Sequence, residues 1–312
     1  MTVRLPNFLL VGAAKCGTTS IASYLSHHPD IYMSPIKEPK FFTAQFLPFP
    51  LRGPGDSFVE NFTVKTFDAY QRLFRQVKNE KAIGDASVDN LYFYRKVIPL
   101  IKRYLGDIRI LIVLRNPVER AFSAYKNLLR DSRETLSFED ALEREGVRRR
   151  KGYEYLWRYL DVGLYYHQVK AYLESFSRVK VLILEQFENG SFDILRHIFA
   201  FLEVDASFRP RRSNHLNLSG KPRLPWVQRP FNPTGFKGKA YKQLAMNGFD
   251  VDKLMRWVEP VRSANIAPIT MNPQTRQRLY EKYEVDMKNL SDLLQTDLTG
   301  WFQSNDPATG TG

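Results

Sequence analysis

Phe8-Leu-Leu-Val11-Gly12-Ala-Ala-Lys15-Cys16-Gly17-Thr18-Thr19-Ser20 opens on four apolar residues, breaks at a turn of small residues carrying one lysine, and runs on into a helical pattern. A short apolar run bounded by a turn reads as a buried strand. Gly12 and Gly17 let backbone N–H groups come close to an anion, and a helix from about Thr18 points the positive end of its dipole at the same place. Strand, anion-binding turn and helix in that order predict a phosphate-holding unit at the start of an α/β fold. The turn nearly matches G-x-x-x-x-G-K-(S/T), in which the lysine reaches the β- and γ-phosphates of a nucleoside triphosphate. Gly12, Gly17 and Thr19 fit, but Thr18 occupies the lysine position and the lysine stands at Lys15. That displacement argues against ATP or GTP hydrolysis and for a nucleotide with different phosphate chemistry. On this segment alone, a plain strand-to-helix turn with an incidental lysine is the alternative.

A second stretch, Arg109-Ile-Leu-Ile-Val-Leu-Arg115-Asn-Pro117-Val-Glu-Arg120-Ala-Phe-Ser123-Ala-Tyr125, repeats the strand-to-helix arrangement. Residues 110–114 suit a parallel strand buried on both faces, Asn116 suits a helix cap and Pro117 the first helical turn. Arg115 therefore falls at the carboxyl end of a strand. Ser123, about two turns into the helix, shares an anion with Arg115 only if that anion lies along the helix flank. The plainer reading makes Arg115 and Arg120 ion-pairing surface residues.

Together these residues resemble the sulfotransferase family that uses 3′-phosphoadenosine 5′-phosphosulfate (PAPS) as donor and releases its desulfated product, PAP. Lys15-Cys16-Gly17-Thr18-Thr19-Ser20 is similar to that family's 5′-phosphosulfate loop, K-x-G-T-(S/T), and the second stretch is similar to its 3′-phosphate motif, R-(D/N)-P-x-x-R-x-x-S-x-Y. The resemblance implies Lys15, Cys16, Gly17, Thr18, Thr19, Ser20, Arg115 and Ser123 as donor-binding residues. Lys15 gains the electrophilic role, because a fixed ammonium stabilises charge building on the bridging oxygen of the departing nucleotide more in the transition state than in the ground state. No metal is then required, and no H-E-x-x-H or C-x-x-C pattern occurs. Cys16 is expected to serve through its backbone N–H, although an anion loop also allows a lowered thiol pKa.

His28-Pro29-Asp30-Ile31-Tyr-Met-Ser-Pro35-Ile-Lys37-Glu38-Pro39-Lys40-Phe41-Phe42 resembles a segment of the bacterial and glycan-modifying branch of the family, whose glutamate is taken as the general base. The resemblance assigns that role to Glu38, since a hydroxyl is a poor nucleophile until its proton is leaving. Lys37 and Lys40 should depress the Glu38 pKa unless burial opposes them. In the hormone-type branch a catalytic histidine follows the segment matching Gly84-Asp85-Ala86-Ser87, whereas Asp89-Asn90 stands here, which moves the base to Glu38. Gly220-Lys221-Pro222-Arg223 is the best match to the family's late basic loop, read as a turn in which Lys221, Pro222 and Arg223 close on the donor, or as a solvated loop. A helix around Tyr165 to Phe176 and a strand from Val179 to Leu184 are similar to further family elements, as is the end of the chain through Tyr283, Leu290 and Trp301. His167 on that helix reads as a packing residue.

Strand signals near 8–11, 108–114 and 179–184 alternate with helical patterns near 18–27, 90–104, 117–130, 155–176, 192–202 and 274–294. They predict an α/β fold, P-loop-like and three-layered, with a central parallel sheet flanked by helices. The expected organisation is one domain over 1–305, with an acceptor-side loop at 44–66, a lid or insertion at 225–273 and a flexible tail at 306–312. Net charge is +13 over 312 residues. Basic residues are scattered, and Arg148-Arg149-Arg150-Lys151, the one run, reads as a solvated face. An acidic cofactor and a glycan or small-molecule acceptor account for the excess, and no nucleic-acid partner is expected. The segment 8–14 is too short for a signal peptide, no apolar stretch reaches membrane-spanning length, and one cysteine excludes an internal disulfide. These features predict a cytoplasmic protein and, beside the anchored animal members of the family, a bacterial one. Oligomeric state has no signal in the sequence. Two other function classes stay open: a kinase-like phosphotransferase needing Mg²⁺, and a basic nucleotide- or nucleic-acid-binding module without catalysis.

Overall fold

The computed structural model describes residues 3–187, 191–210, 220–224 and 264–302. The proposed tail at 306–312 and most of the segment 225–273 lie outside the described residues. Five parallel strands form the sheet: β1 (Phe8–Gly12), β2 (Ile31–Met33), β3 (Ala82–Asp85), β4 (Arg109–Leu114) and β5 (Val179–Ile183), in the order β2-β3-β1-β4-β5. Every residue of β1, β3 and β4 is buried, so these strands are covered on both faces. The helices in chain order are α1 (Thr18–Leu25), α2 (Phe41–Ala44), α3 (Ser57–Phe62), α4 (Phe67–Arg72), α5 (Tyr94–Leu105), α6 (Pro117–Arg130), α7 (Phe138–Glu143), α8 (Glu145–Arg150), α9 (Tyr166–Ser175), α10 (Ser191–Leu202) and α11 (Pro273–Leu294). This is the α/β architecture expected, with a parallel sheet flanked by helices.

The sequence signals behind α6 operate as read. Asn116 accepts the Val118 N–H at 2.9 Å, Pro117 takes the first helical position, and Val118, Ala121, Phe122, Tyr125 and Leu128 form the buried stripe. Likewise α11 starts from an Asn272 cap, with Leu279, Tyr283, Met287 and Leu290 on one inward face. Because β1 lies between β3 and β4, while the chain steps outward to β2 before returning to β3, the winding reverses beside β1. Crevices at such a reversal, at the carboxyl ends of the strands, are where α/β sheets bind ligands.

Three readings need correction. First, β2 and β3 gave no clear strand signal, β2 being three residues long and β3 being Ala-Ile-Gly-Asp. Second, no continuous helix spans 155–176: two single 3₁₀ turns, Tyr155–Trp157 and Asp161–Gly163, precede α9. Tertiary partners take over the backbone there. Tyr283 donates its hydroxyl to the Leu160 carbonyl at 2.9 Å, the Arg120 guanidinium donates to the Tyr159 carbonyl, and Asp286 accepts the Tyr165 N–H at 2.7 Å. Third, α5 begins at Tyr94 rather than near 90, because Leu91 donates its N–H to the Val11 carbonyl at 2.8 Å and holds the chain against the end of β1.

Gly84 in β3 lies over the Phe8 ring, and a Cβ there would overlap that ring, which is fully buried. Gly84→Ala is therefore expected to destabilise the fold by about 1–3 kcal/mol through overpacking. Guanidinium unfolding should record a lower midpoint at an unchanged slope. No described helix is long and apolar enough to cross a membrane.

Candidate active site

The turn after β1 is an anion cradle at the backbone level. Lys15 and Gly17 both adopt left-handed backbone, at φ 71° and 75°, a conformation that glycine takes at no cost and lysine only when its surroundings enforce it. Gly17 caps α1 without a side-chain acceptor, and the N–H groups of Thr18, Thr19 and Ser20 have no protein acceptor among the described residues. Burial pushes the Lys15 ammonium down to about 7, helped by the charges of Arg130 and Lys37 and opposed by Asp131 and Glu38. Open N–H donors beside a lysine crowded by cations form a site complementary to a polyanion.

Arg115 lies just past the carboxyl end of β4 and Ser123 is half-buried on α6. The Arg115 guanidinium pairs with no carboxylate and the Ser123 hydroxyl has no protein partner among the described residues. Among the described residues nothing supports the plainer reading of Arg115 as an ion-pairing residue. Lys126, which the sequence reading passed over, lies one turn beyond Ser123; burial first and Arg115 second lower its pKa. Its signal was the spacing of Ser123 and Lys126 at i and i+3, which puts both on one helical face.

One tyrosine joins the two motifs. The Tyr165 hydroxyl donates to the Arg115 carbonyl at 3.1 Å and lies 3.7 Å from Cys16 Sγ, while Ala13 donates its N–H to the Val113 carbonyl at 2.7 Å. Burial, partly offset by the Tyr165 hydrogen bond, pushes the Cys16 thiol up to about 11. The lowered thiol pKa that the anion loop allowed is thus corrected: Cys16 is a neutral, fully buried side chain.

The 37–40 segment closes on the same turn. Lys37 Nζ donates to Thr19 Oγ1 at 2.7 Å and lies 3.5 Å from Glu38 Oε1, and Lys40 Nζ lies 3.6 Å from Glu38 Oε2. Burial alone would raise the Glu38 pKa, but Lys37 and Lys40 outweigh it and hold the carboxyl below the usual carboxylate range. That settles the competition between burial and charge seen in the sequence. Glu38 and Lys40 are also left-handed, at φ 55° and 53°. Lys15, Glu38 and Lys40 thus place strained backbone at one location, where such strain accompanies binding or chemistry.

The remaining candidates divide. Lys221 and Pro222 form β6 (Lys221–Pro222), antiparallel to β7 (Ile266–Ala267), rather than a turn. This short pair packs against α6, the Ser123 helix, and leaves Lys221 and Arg223 exposed. His167 is exposed and touches the Tyr166 ring, so it neither packs in the core nor joins the site. The basic run at 148–151 is not simply a solvated face: Arg148 is buried and donates to both carboxylate oxygens of Glu134, at 2.6 and 2.9 Å. Lys40, Asp89, Phe49, Phe93, Tyr155 and Arg158 help to line a cavity of about 20 Å³, room for one water, so residues 44–66 pack against the site on the Glu38 side.

Comparison with known proteins gives a consistent result. A model described as the sulfotransferase family matches residues 6–207. The crystal structure of a sulfotransferase from Alicyclobacillus acidocaldarius superposes with a TM-score of 0.75 at 37% identity, covering 96% of this chain and 100% of that one. Human carbohydrate sulfotransferase 15 is 28% identical over 150 residues, 39% of this chain and 27% of that protein. Human bifunctional heparan sulfate N-deacetylase/N-sulfotransferase 2 is 34% identical over 126 residues, 40% of this chain and 13% of that protein. The matches thus span about a quarter or less of the length of these curated relatives.

Proposed function

The chain belongs to the sulfotransferase family, and from that premise we propose that it moves the sulfuryl group of PAPS to a hydroxyl or amine of a carbohydrate or small natural-product acceptor by direct in-line transfer. The observation that carries this reading is the convergence of positive and open hydrogen-bond-donating groups at the reversal of the sheet: Lys15, the open N–H groups of α1, and Arg115 with Ser123. A donor with a phosphate at each end of its ribose fits two such clusters joined by Tyr165.

Lys15 and the N–H groups of Gly17, Thr18, Thr19 and Ser20 are assigned to the 5′ end of the donor, whereas the Cys16 N–H is already given to the Ala13 carbonyl at 3.3 Å. Arg115 and Ser123, with Lys126 beside them, are assigned to the 3′-phosphate, and Lys221, Pro222 and Arg223 to closure along α6. When bound, PAPS supplies a sulfuryl group on a phosphate leaving group. The chain's residues supply the rest: Glu38 takes the acceptor's proton, and the Lys15 ammonium stabilises charge collecting on the leaving oxygen. One domain over 1–305, with 44–66 on the acceptor side, is part of this proposal. A bacterial cytoplasmic setting is supported by the single cysteine and by the likeness to a bacterial chain.

A panel of carbohydrate, phenol and amine acceptors incubated with labelled PAPS in EDTA tests the activity. Metal-independent transfer of label to an acceptor is expected. Phosphoryl transfer from Mg²⁺-ATP with no sulfuryl transfer to any acceptor would place the chain with the phosphotransferases instead.

Lys15 also sets a pH dependence. A bound anion favours the ammonium and raises its pKa above the value of about 7 in the free protein. As pH rises through that value the free protein loses the proton, and binding must recover it. The Kd for PAP is therefore expected to rise above about pH 7, by up to about tenfold per pH unit. Calorimetry in buffers of differing ionisation enthalpy should record proton uptake at about pH 8, absent in Lys15→Met.

A further inference from the structure

We infer that Lys40 is the positioning residue for Glu38: it holds one carboxylate oxygen of the proposed base, leaves the other for the acceptor, and ties the base to the wall formed by residues 53–57 and 153–158. The inference takes the identity of the base from the function proposed above.

Lys40 is only 8% exposed, and a buried ammonium persists only where carboxylates or dipoles replace its water. Three carboxylates do so: Glu38 Oε2 at 3.6 Å, Asp89 Oδ2 at 3.6 Å and Glu154 Oε1 at 3.7 Å, with the Tyr155 ring centre 5.0 Å away. The ammonium is thus shared among three ion pairs arranged around it. The Lys40 backbone is fixed as firmly. Its N–H donates to Ser87 Oγ at 3.0 Å, Ser87 donates to Asp85 Oδ1 at 2.8 Å, and Tyr70 donates to Asp85 Oδ2 at 2.9 Å. That anchoring explains how left-handed backbone is tolerated on both sides of Pro39.

Lys37 contrasts with Lys40. Its side chain is 49% exposed, against 10% for Lys40, and it is already engaged with Thr19. An exposed lysine on the donor side is free to swing toward a bound anion, which uncovers Glu38 Oε1. Oε2 stays with Lys40. The proton-accepting atom is therefore Oε1, and Lys40 determines where it points.

Beyond Lys40 the network reaches the acceptor-side segment. Glu154 Oε2 accepts from Arg133 at 2.9 Å, and Arg133 also pairs with the fully buried Asp56. Asp56 in turn accepts the Gly53 N–H at 2.7 Å, the Glu154 N–H at 2.8 Å and Trp157 Nε1 at 2.9 Å. Asp56, Arg133, Glu154 and Lys40 form one buried chain of charge that ends on the half-buried Glu38, so a displacement of residues 53–57 is felt at the base.

The charged groups facing Glu38 are Lys37 and Lys40 from its own segment, Lys15 from the turn after β1, Asp89 from the segment after β3 and Tyr155 from the 3₁₀ turn. Titration of ¹³C-labelled glutamate carboxyls in the full chain reads Glu38 directly, with Glu38→Gln identifying its signal by deletion. In Lys40→Met the Glu38 midpoint is expected to move upward, in Lys40→Arg to stay near its original position, and in Glu154→Gln to move downward, because the ammonium is then shared with one carboxylate fewer. The Glu154→Gln arm keeps the test decisive if Lys40→Met does not fold. Once an acceptor is in hand, Lys40→Met should lower kcat about a hundredfold, the scale of a misplaced reacting group, with the acid limb of the pH profile shifted the same way as the titration. An unmoved Glu38 midpoint in a folded Lys40→Met, or in Glu154→Gln, would overturn the assignment. PAP calorimetry separates the two proposals: failure of the wild type to bind PAP defeats the sulfotransferase reading, while the titration still decides the role of Lys40.

Discussion

Lys15→Met is expected to reduce sulfuryl transfer by about 10²- to 10³-fold, the scale on which removal of one fixed charge-stabilising donor is felt. The loss should fall mainly on kcat, because the ammonium is worth most when charge has built up on the leaving oxygen. Donor affinity should weaken as well, since Lys15 faces an anion in the bound ground state. The fold should survive: burial and the repulsion of Arg130 and Lys37 together outweigh the attraction of Asp131 and Glu38 for this ammonium, so its removal relieves a cost. Steady-state kinetics with PAPS, beside a thermal melt, checks both halves, and a folded variant with normal kcat would remove Lys15 from the mechanism.

Glu38→Gln should cost about 10²- to 10⁴-fold in kcat, the range for a positioned general base, with little change in the Kd for PAP. Two lysines keep Glu38 ionised at neutral pH, so it is ready to accept a proton, but the same charges weaken it as a base. The structure offers a resolution: Lys37 is committed to Thr19 at 2.7 Å and exposed to the donor side. Drawn toward a bound anion, it would release part of its hold on Glu38 and restore basicity as the donor arrives. Rate measurements against pH, with calorimetry of PAP on the same variant, separate the base from a merely structural carboxylate. A parallel loss of PAP affinity and kcat would assign Glu38 to donor binding.

What the sequence made legible follows from where the physics is local. β1 and β4 are fully buried runs of apolar residues, and a parallel strand covered on both faces leaves that signature in the chain. The cap of α6 depends on Asn116-Pro117, side chains that act within two residues of themselves. β2 and β3 were hidden because a three-residue strand and one interrupted by Gly84 carry too short a pattern, and the pairing of β2 to β3 and of β3 to β1 is a tertiary event. The broken helix before α9 was hidden for the related reason that Tyr283, Arg120 and Asp286 compete for its backbone groups across more than a hundred residues of chain in two cases of three.

The site divides in the same way. Lys15, Gly17 and the α1 N–H groups belong to one turn, and Arg115 with Ser123 to one strand and helix, so each cluster could be read from spacing. Their junction could not, because Tyr165 joins Cys16 to Arg115 from an element far from both in sequence. The environment of Glu38 was half legible. Lys37 and Lys40 flank it in the chain, whereas Asp89, Glu154 and Arg133 arrive from separate segments and join Lys40 in a buried charge network. Arg148 was misread for the same cause, since its partner Glu134 lies on another segment.

The central claim is that the turn at 12–20 and the strand end at Arg115 hold one nucleotide with a phosphate at each end. Isothermal calorimetry with PAP in EDTA, run on the wild type, Lys15→Met and Arg115→Ala, tests it most directly. Single-site binding without metal, weakened in each variant while the melting temperature stays close to that of the wild type, is the predicted result. Absence of PAP binding by the folded wild type, or binding that both variants leave unchanged, would contradict it.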